Sequence, residues 1–171
     1  MRHHLLLAAS LIALPPVAYP ADENALLAFV EGRQAQTTEI ARTLWEFAEV
    51  GYQEERSSAL LQSTLAAEGF EINAGVAGIP TAFVASFGTE GPVIGILAEF
   101  DALPGITQDA LPARSPIPNK PAAHACGHNL FGAGSLGAAL AVRHWLEDTG
   151  TPGTIRLYGT PAEEGGSGKV Y

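Results

Sequence analysis

A chain of 171 residues with 47% hydrophobic content has the length and the apolar material for one domain with a real core, which argues against a disordered segment. Its formal charge is −9, from 9 Lys and Arg against 18 Asp and Glu, and no basic run is present to contact phosphates. That argues against nucleic acid and anionic membrane surfaces as partners.

The first 21 residues stand apart. Arg2 precedes an almost wholly apolar run from Leu5 to Leu14, followed by Pro15, Pro16 and small residues before Asp22. This is the pattern of a secretory signal peptide, with cleavage expected near Ala18 or Ala21. About ten apolar residues are half of the roughly twenty that a membrane-spanning helix needs, so no anchor is expected. The expected location is secreted or periplasmic, with the domain over residues 22–171. In an exported chain the single cysteine, Cys126, has no internal disulfide partner and is a free thiol.

Residues 22–50 place Leu26, Leu27, Phe29, Val30, Ile40, Leu44 and Phe47 at steps of three and four, which predicts an amphipathic helix. Residues 54–68 repeat the pattern through Leu60, Leu61 and Leu65, with Gly69 as a stop. The acidic residues on both are read as solvated faces. After Gly69 the period changes: residues 70–74, 81–87 and 93–100 are short, β-branched or aromatic, and bounded by Gly and Pro, so they read as strands. The run Val93 to Ala98 is apolar on both faces and predicts a central strand covered on each side.

Residues 101–123 hold Pro104, Pro112, Pro116, Pro118 and Pro121 and predict a long loop, which in a compact domain is usually functional. Residues 129–148 predict a helix and 154–160 a further strand. Strand, loop, helix and strand together make the crossover of a parallel sheet. The expected fold is therefore α/β, a mostly parallel sheet with helices on both faces.

That topology places the chemistry. Glu99 and Asp101 follow one parallel strand, Glu163 and Glu164 follow the next, and Cys126 and His128 open the helix between them, where open α/β sheets put their ligand sites. Thiolate, imidazole and carboxylate are all competent ligands for zinc or a similar divalent ion. Adjacent Glu163 and Glu164 suit a division of labour, one binding metal and the other handling a proton, and the competing reading is a helix start favoured by the dipole. A Cys126 nucleophile with His124 or His128 as base is disfavoured because sequence neighbours are seldom placed for that transfer. Gly165 to Lys169 is not a phosphate loop, since Glu163 stands in place of the first glycine and Val170 in place of Ser or Thr. His144 reads as a surface histidine.

Leu97-Ala98-Glu99-Phe100-Asp101-Ala102-Leu103-Pro104, His124-Ala125-Cys126-Gly127-His128-Asn129 and Pro161-Ala162-Glu163-Glu164-Gly165-Gly166, in this order and spacing, resemble the amidohydrolase branch of the two-metal metallopeptidases. That branch contains p-aminobenzoyl-glutamate hydrolase, hippurate hydrolase and related dipeptidases. The segment from Leu44 to Glu54 resembles the branch's N-terminal helix signature. The resemblance implies a three-layer domain like that of zinc exopeptidases, with two divalent ions, zinc or manganese. Cys126, His128 and Glu164 are then metal ligands, Glu163 the general base, and Asp101 a residue that orients a ligand. Glu99 stands where the aminopeptidase branch has a ligand histidine and receives no role.

The implied reaction is hydrolysis of an amide in an N-acyl or aminobenzoyl amino acid or a dipeptide, by a full-length enzyme that forms a homodimer. Family members also continue beyond the match, with a lid or dimerisation domain and two more ligand histidines. This sequence has no histidine after His144, so it resembles the N-terminal part of such an enzyme. The alternative expectation is an inactive fragment that at most binds a metal or a partner.

Overall fold

The structure, a computed structural model, describes residues 23–171, and the signal peptide expected over residues 1–21 lies outside the described residues. Helices α1 (Glu23–Gly32) and α2 (Gln34–Phe47) occupy the stretch where the apolar period predicts one helix. Gly32 weakens the helix, and Arg33 at φ −94°, ψ 0° bonds back to the Val30 carbonyl, closing a tight turn that the apolar period does not register. Ala48 then ends α2 in the left-handed region at φ 45°, its N–H on the Leu44 carbonyl. A connector follows, and α3 runs Glu55–Ala67.

Strands β1 (Glu71–Ala74), β2 (Phe83–Phe87), β3 (Val93–Ala98) and β6 (Thr154–Gly159) form one sheet in the order β1-β2-β6-β3. The loop over residues 101–123 carries a two-residue antiparallel pair, β4 (Leu103–Pro104) with β5 (Ala122–Ala123). Helix α4, His128–Thr149, crosses from β3 back to β6. No helix of the described residues is long and apolar enough to cross a membrane.

The core follows from the two periodicities. Phe83, Ala85, Ile155 and Leu157, alternate residues of β2 and β6, face Leu61 and Leu65 of α3 and Leu136, Ala139 and Leu140 of α4. Leu44 of α2 and Phe100 close the same cluster, and each large side chain so buried contributes about 1.5–3 kcal/mol. Gly132 lets α4 approach the sheet, since an added Cβ would stand 3.0 Å from the Glu99 carbonyl.

The α/β class is as expected, with two revisions of detail. Among the described residues, the four-stranded sheet has one parallel ladder, β3–β6; β1–β2 and β2–β6 are antiparallel. The short link from β1 to β2 allows nothing else, because parallel neighbours need a crossover. Among the described residues, α3 and α4 lie on one face of the sheet, and Glu71, Asn73, Ser86, Arg156 and Tyr158 point from the other. Strand β3 is then an edge, not the centre, and Val93, Ile94 and Leu97 remain 46–55% exposed.

Candidate metal centre

The register fixes where the chemistry emerges. Ala98 pairs with Gly159, so β3 and β6 end side by side, and Thr160 extends the ladder by donating its N–H to the Ala98 carbonyl at 2.9 Å. Beyond these ends, β3 delivers Glu99 and Asp101 while β6 delivers Glu163 and Glu164. Gly127, at φ 101°, turns the chain into α4 and presents Cys126 and His128 to the same edge. Gly168 completes the enclosure: a Cβ there would stand 2.0 Å from the Pro161 carbonyl, so only glycine lets the chain fold back and bring Lys169 over the site.

His128 lies buried at the middle. Its Nδ1 is 2.9 Å from Asp101 Oδ1, and its Nε2 is 3.1 Å from Glu99 Oε2 and 3.8 Å from Glu163 Oε2. The other Asp101 oxygen, Oδ2, accepts the Glu164 N–H at 2.8 Å. One carboxylate therefore holds both the imidazole and the backbone of the acidic turn. Lys169 Nζ donates to Glu99 Oε1 at 2.8 Å and to Glu163 Oε1 at 3.0 Å.

Among the described residues, two groups of ligand-type side chains each bring their donor atoms within 4.8 Å of one another: Cys126, His128 and Glu164, and Glu99, His128 and Glu163. The donor set suits a divalent cation on three counts. Glu164 Oε1 is buried and has no hydrogen-bond partner among the described residues. With Nδ1 engaged by Asp101, Nε2 is the nitrogen of His128 left to face a cation, the arrangement that fixes a ligating imidazole. Four carboxylates gather around one imidazole and one ammonium, a surplus of negative charge that a cation would offset. The Cys126 thiol, exposed at the rim, reflects this surplus: the neighbouring Glu164 carboxylate pushes its pKa up, and Glu163 and Glu99 add to it. A bound cation would reverse that shift and make a thiolate ligand.

Cys126, His128, Asp101, Glu163 and Glu164 thus all converge. The two readings of the acidic pair are compatible. Glu163–Gly166 is a single helical turn, α5, entered through Ala162 at φ 57°, and its two carboxylates also stand within the candidate centre. The turn aims Glu163 toward Glu99 and Lys169 and leaves Glu164 near Cys126.

The reading of acidic residues as solvated faces fails at Glu49 and Glu54. Glu49 accepts the N–H and hydroxyl of Ser57, each at 2.8 Å, and so serves the open end of α3. Glu54 is fully buried. It precedes α3 instead of lying on its outer face, so helical period gives no sign of its burial. Lys169 stands among glycines in a run that is no phosphate loop, and nothing in that run signals its contact with two carboxylates. Glu99, without a role from sequence, reaches the imidazole. His124 joins neither group; its Nε2 bonds the Leu44 carbonyl at 3.0 Å, and burial pushes its pKa down. His144 is half-buried and stacks on Phe29 at 4.1 Å.

Residues 95–171 match Peptidase family M20/M25/M40. The chain is 44% identical over 144 residues to a component of the p-aminobenzoyl-glutamate hydrolase of Escherichia coli, a match covering 83% of this chain and 30% of that protein. It is 32% identical over 143 residues to the Xaa-Arg dipeptidase of Mus musculus, covering 77% and 30%. The crystal structure of the Bacillus subtilis YXEP protein, described as a dinuclear metal binding peptidase from the M20 family, superposes with a TM-score of 0.63 at 32% identity, over 80% of this chain and 36% of that one. The chain spans about a third of the length of these relatives. Over residues 95–171 the chain is thus similar to Peptidase family M20/M25/M40, and over most of its length to a hydrolase component and a dipeptidase.

Proposed function

We propose that this chain contributes to metal-dependent hydrolysis of an amide bond, in an N-acyl or aminobenzoyl amino acid or a dipeptide. The observation that carries the reading is the convergence of Cys126, His128 and Glu164 within 4.8 Å, with the Glu163 carboxylate beside them. Relatives named as an aminobenzoyl-glutamate hydrolase and a dipeptidase support the substrate class.

Cys126, His128 and Glu164 would hold zinc or manganese, with Glu99 and Glu163 beside the place of a second ion. The ions would supply Lewis-acid polarisation of the amide carbonyl and a more acidic attacking water. Glu163 takes the proton from that water and returns it to the leaving amine nitrogen. Asp101 keeps the Nδ1 proton on His128 and the Glu164 backbone in place. Lys169 holds Glu163 against Glu99 until a substrate or cation competes for the carboxylates.

Glu163→Gln keeps the shape and removes the base. In the metal-loaded protein it is expected to lower kcat at least 10²- to 10⁴-fold in hydrolysis of p-aminobenzoyl-glutamate, N-acyl amino acids or dipeptides. Near-normal turnover would overturn the assignment of the base.

One observation favours a second reading, a chain that binds one metal without turnover: both ligand groups use His128, so these residues do not complete two separate sites. Metal analysis beside the hydrolysis assay separates the two, because two bound ions with turnover defeat the second reading. Export through a cleaved segment at residues 1–21 belongs to the same proposal. Protein recovered from the periplasm or medium should begin just after Ala18 or Ala21, and an intact Met1 in that fraction would contradict it. Homodimerisation is carried over from the family, and light scattering on the purified protein tests it.

A further inference from the structure

The connector between α2 and α3, residues 48–54, touches both arms of the site. On the Asp101 side, Ala102 donates its N–H to the Glu49 carbonyl at 2.8 Å, and Val50 forms a parallel bridge with Ala102. On the Glu163 side, Gly51 lies so close to Ala162 that an added Cβ would stand 3.0 Å from that residue's Cα. Tyr52 donates its hydroxyl to the Gly166 carbonyl at 3.0 Å.

Glu54 reaches deepest. Its Oε1 accepts the Ala162 N–H at 2.8 Å, and its Oε2 accepts the Thr81 hydroxyl at 3.1 Å. The side chain is 0% exposed, and burial pushes its pKa up against the pull of these hydrogen bonds. Both partners are neutral donors, so neither one cancels the cost of burying a carboxyl group. The bond to Ala162 has a specific job. Ala162 sits at φ 57°, a conformation that an alanine adopts only when its surroundings impose it, and it is the residue from which Glu163 and Glu164 depart.

We propose that Glu54 is a positioning residue for the hydrolytic site: its carboxyl oxygen fixes the Ala162 peptide in the left-handed conformation and so sets where the Glu163 and Glu164 carboxylates stand. The proposal rests on the amidohydrolase reading for its effect on turnover, but its effect on metal affinity through Glu164 does not need turnover. Loss of Glu54 leaves the Ala162 N–H buried and unpaired, and Ala162 relaxes toward ordinary backbone angles. The acidic turn then shifts away from His128 and Cys126.

The test compares Glu54→Gln, Glu54→Ala and Thr81→Val in the full protein. Gln keeps an acceptor for the Ala162 N–H, and the Thr81 hydroxyl can rotate to accept from its amide. Glu54→Ala should weaken zinc or manganese binding about 10- to 100-fold and lower kcat by a similar factor with little change in KM, whereas Glu54→Gln should stay within about threefold of wild type on both. Thr81→Val, which removes the other partner, should lower the urea midpoint without changing metal affinity. If Glu54→Ala does not fold, Glu54→Asp, one methylene short of Ala162, takes its place with the same direction expected. Unchanged metal affinity in folded Glu54→Ala or Glu54→Asp would overturn the proposal. So would a Glu54→Gln protein as impaired as Glu54→Ala, which would assign the effect to charge. Wild type that binds metal without hydrolysing any amide would count against the hydrolase reading alone, and the metal titrations would still decide the role of Glu54.

Discussion

Asp101 shows how much of this site depends on one side chain with two oxygens. It holds the Nδ1 proton of His128 with one oxygen and the Glu164 N–H with the other. Asp101→Asn cannot keep both bonds. If its amide nitrogen faces Nδ1, the imidazole must move its proton to Nε2 and loses the lone pair that a cation needs; if it faces Glu164, two donors meet. Asp101→Asn is therefore expected to weaken zinc or manganese binding nearly as much as Asp101→Ala, about 10- to 100-fold, measured by titration against a metal indicator. At this scale the sequence picks out the residues that the structure gathers at the strand ends. Cys126, His128, Glu163 and Glu164 form a density of ligand types that stands out without any structure. Glu54 and Lys169 do not stand out, because their roles come from burial and chain reversal, and a glutamate among helical glutamates looks the same whether or not tertiary contacts enclose it.

At the scale of elements, helix α4 and strand β6 lie within a residue or two of their expected bounds, since both have strong periods and clear Gly or Pro stops. The break at Arg33 and the edge position of β3 are not legible in the sequence. A break that keeps the apolar stripe in phase leaves the pattern intact, and an apolar strand carries no record of whether a neighbour covers it. The helices are also joined by charge. Glu68 at the end of α3 accepts from Arg33 between α1 and α2, with one of these bonds at 3.1 Å, and from Arg143 of α4 at 2.8 Å. The Arg33 hydrogen bond holds the Glu68 carboxyl below its ordinary value of 4.5 despite the opposing effect of burial. A carboxylate held low stabilises the fold above that ordinary value and loses its contribution as pH falls through the lower, folded value. Glu68→Gln should thus lower the unfolding free energy from urea titration at pH 7, by about 1 kcal/mol or less, and the difference from wild type should shrink as pH falls below 4.5. Packing is less forgiving. A Cβ at Gly159 would stand 2.1 Å from the fully buried Phe83 ring, so Gly159→Ala should cost about 1–3 kcal/mol in the same assay.

For the whole molecule, the cation and the fold are linked. The candidate ligands come from three separate stretches of chain, so the proposed cation site would exist only in the folded state, and a ligand that binds that state alone raises its stability. Saturating zinc or manganese should raise the thermal midpoint, by about 2.7 kcal/mol in free energy at a hundredfold excess over Kd, and a chelator should reverse the gain. The rise should shrink in Glu164→Gln, whose buried Oε1 has no partner among the described residues.

The parallel register of β3 with β6 also sets an order of events in time. Val93 meets Thr154 only after the intervening loop and α4 exist, so this pairing closes a loop of about sixty residues, and contacts of that span form late and slowly. The hairpin of β1 with β2 and the three N-terminal helices need no such closure. A nascent chain can assemble them while the acidic turn is still unmade, and it acquires affinity for a cation only when β6 docks. Metal uptake in a refolding experiment should therefore follow the slowest folding phase and not precede it.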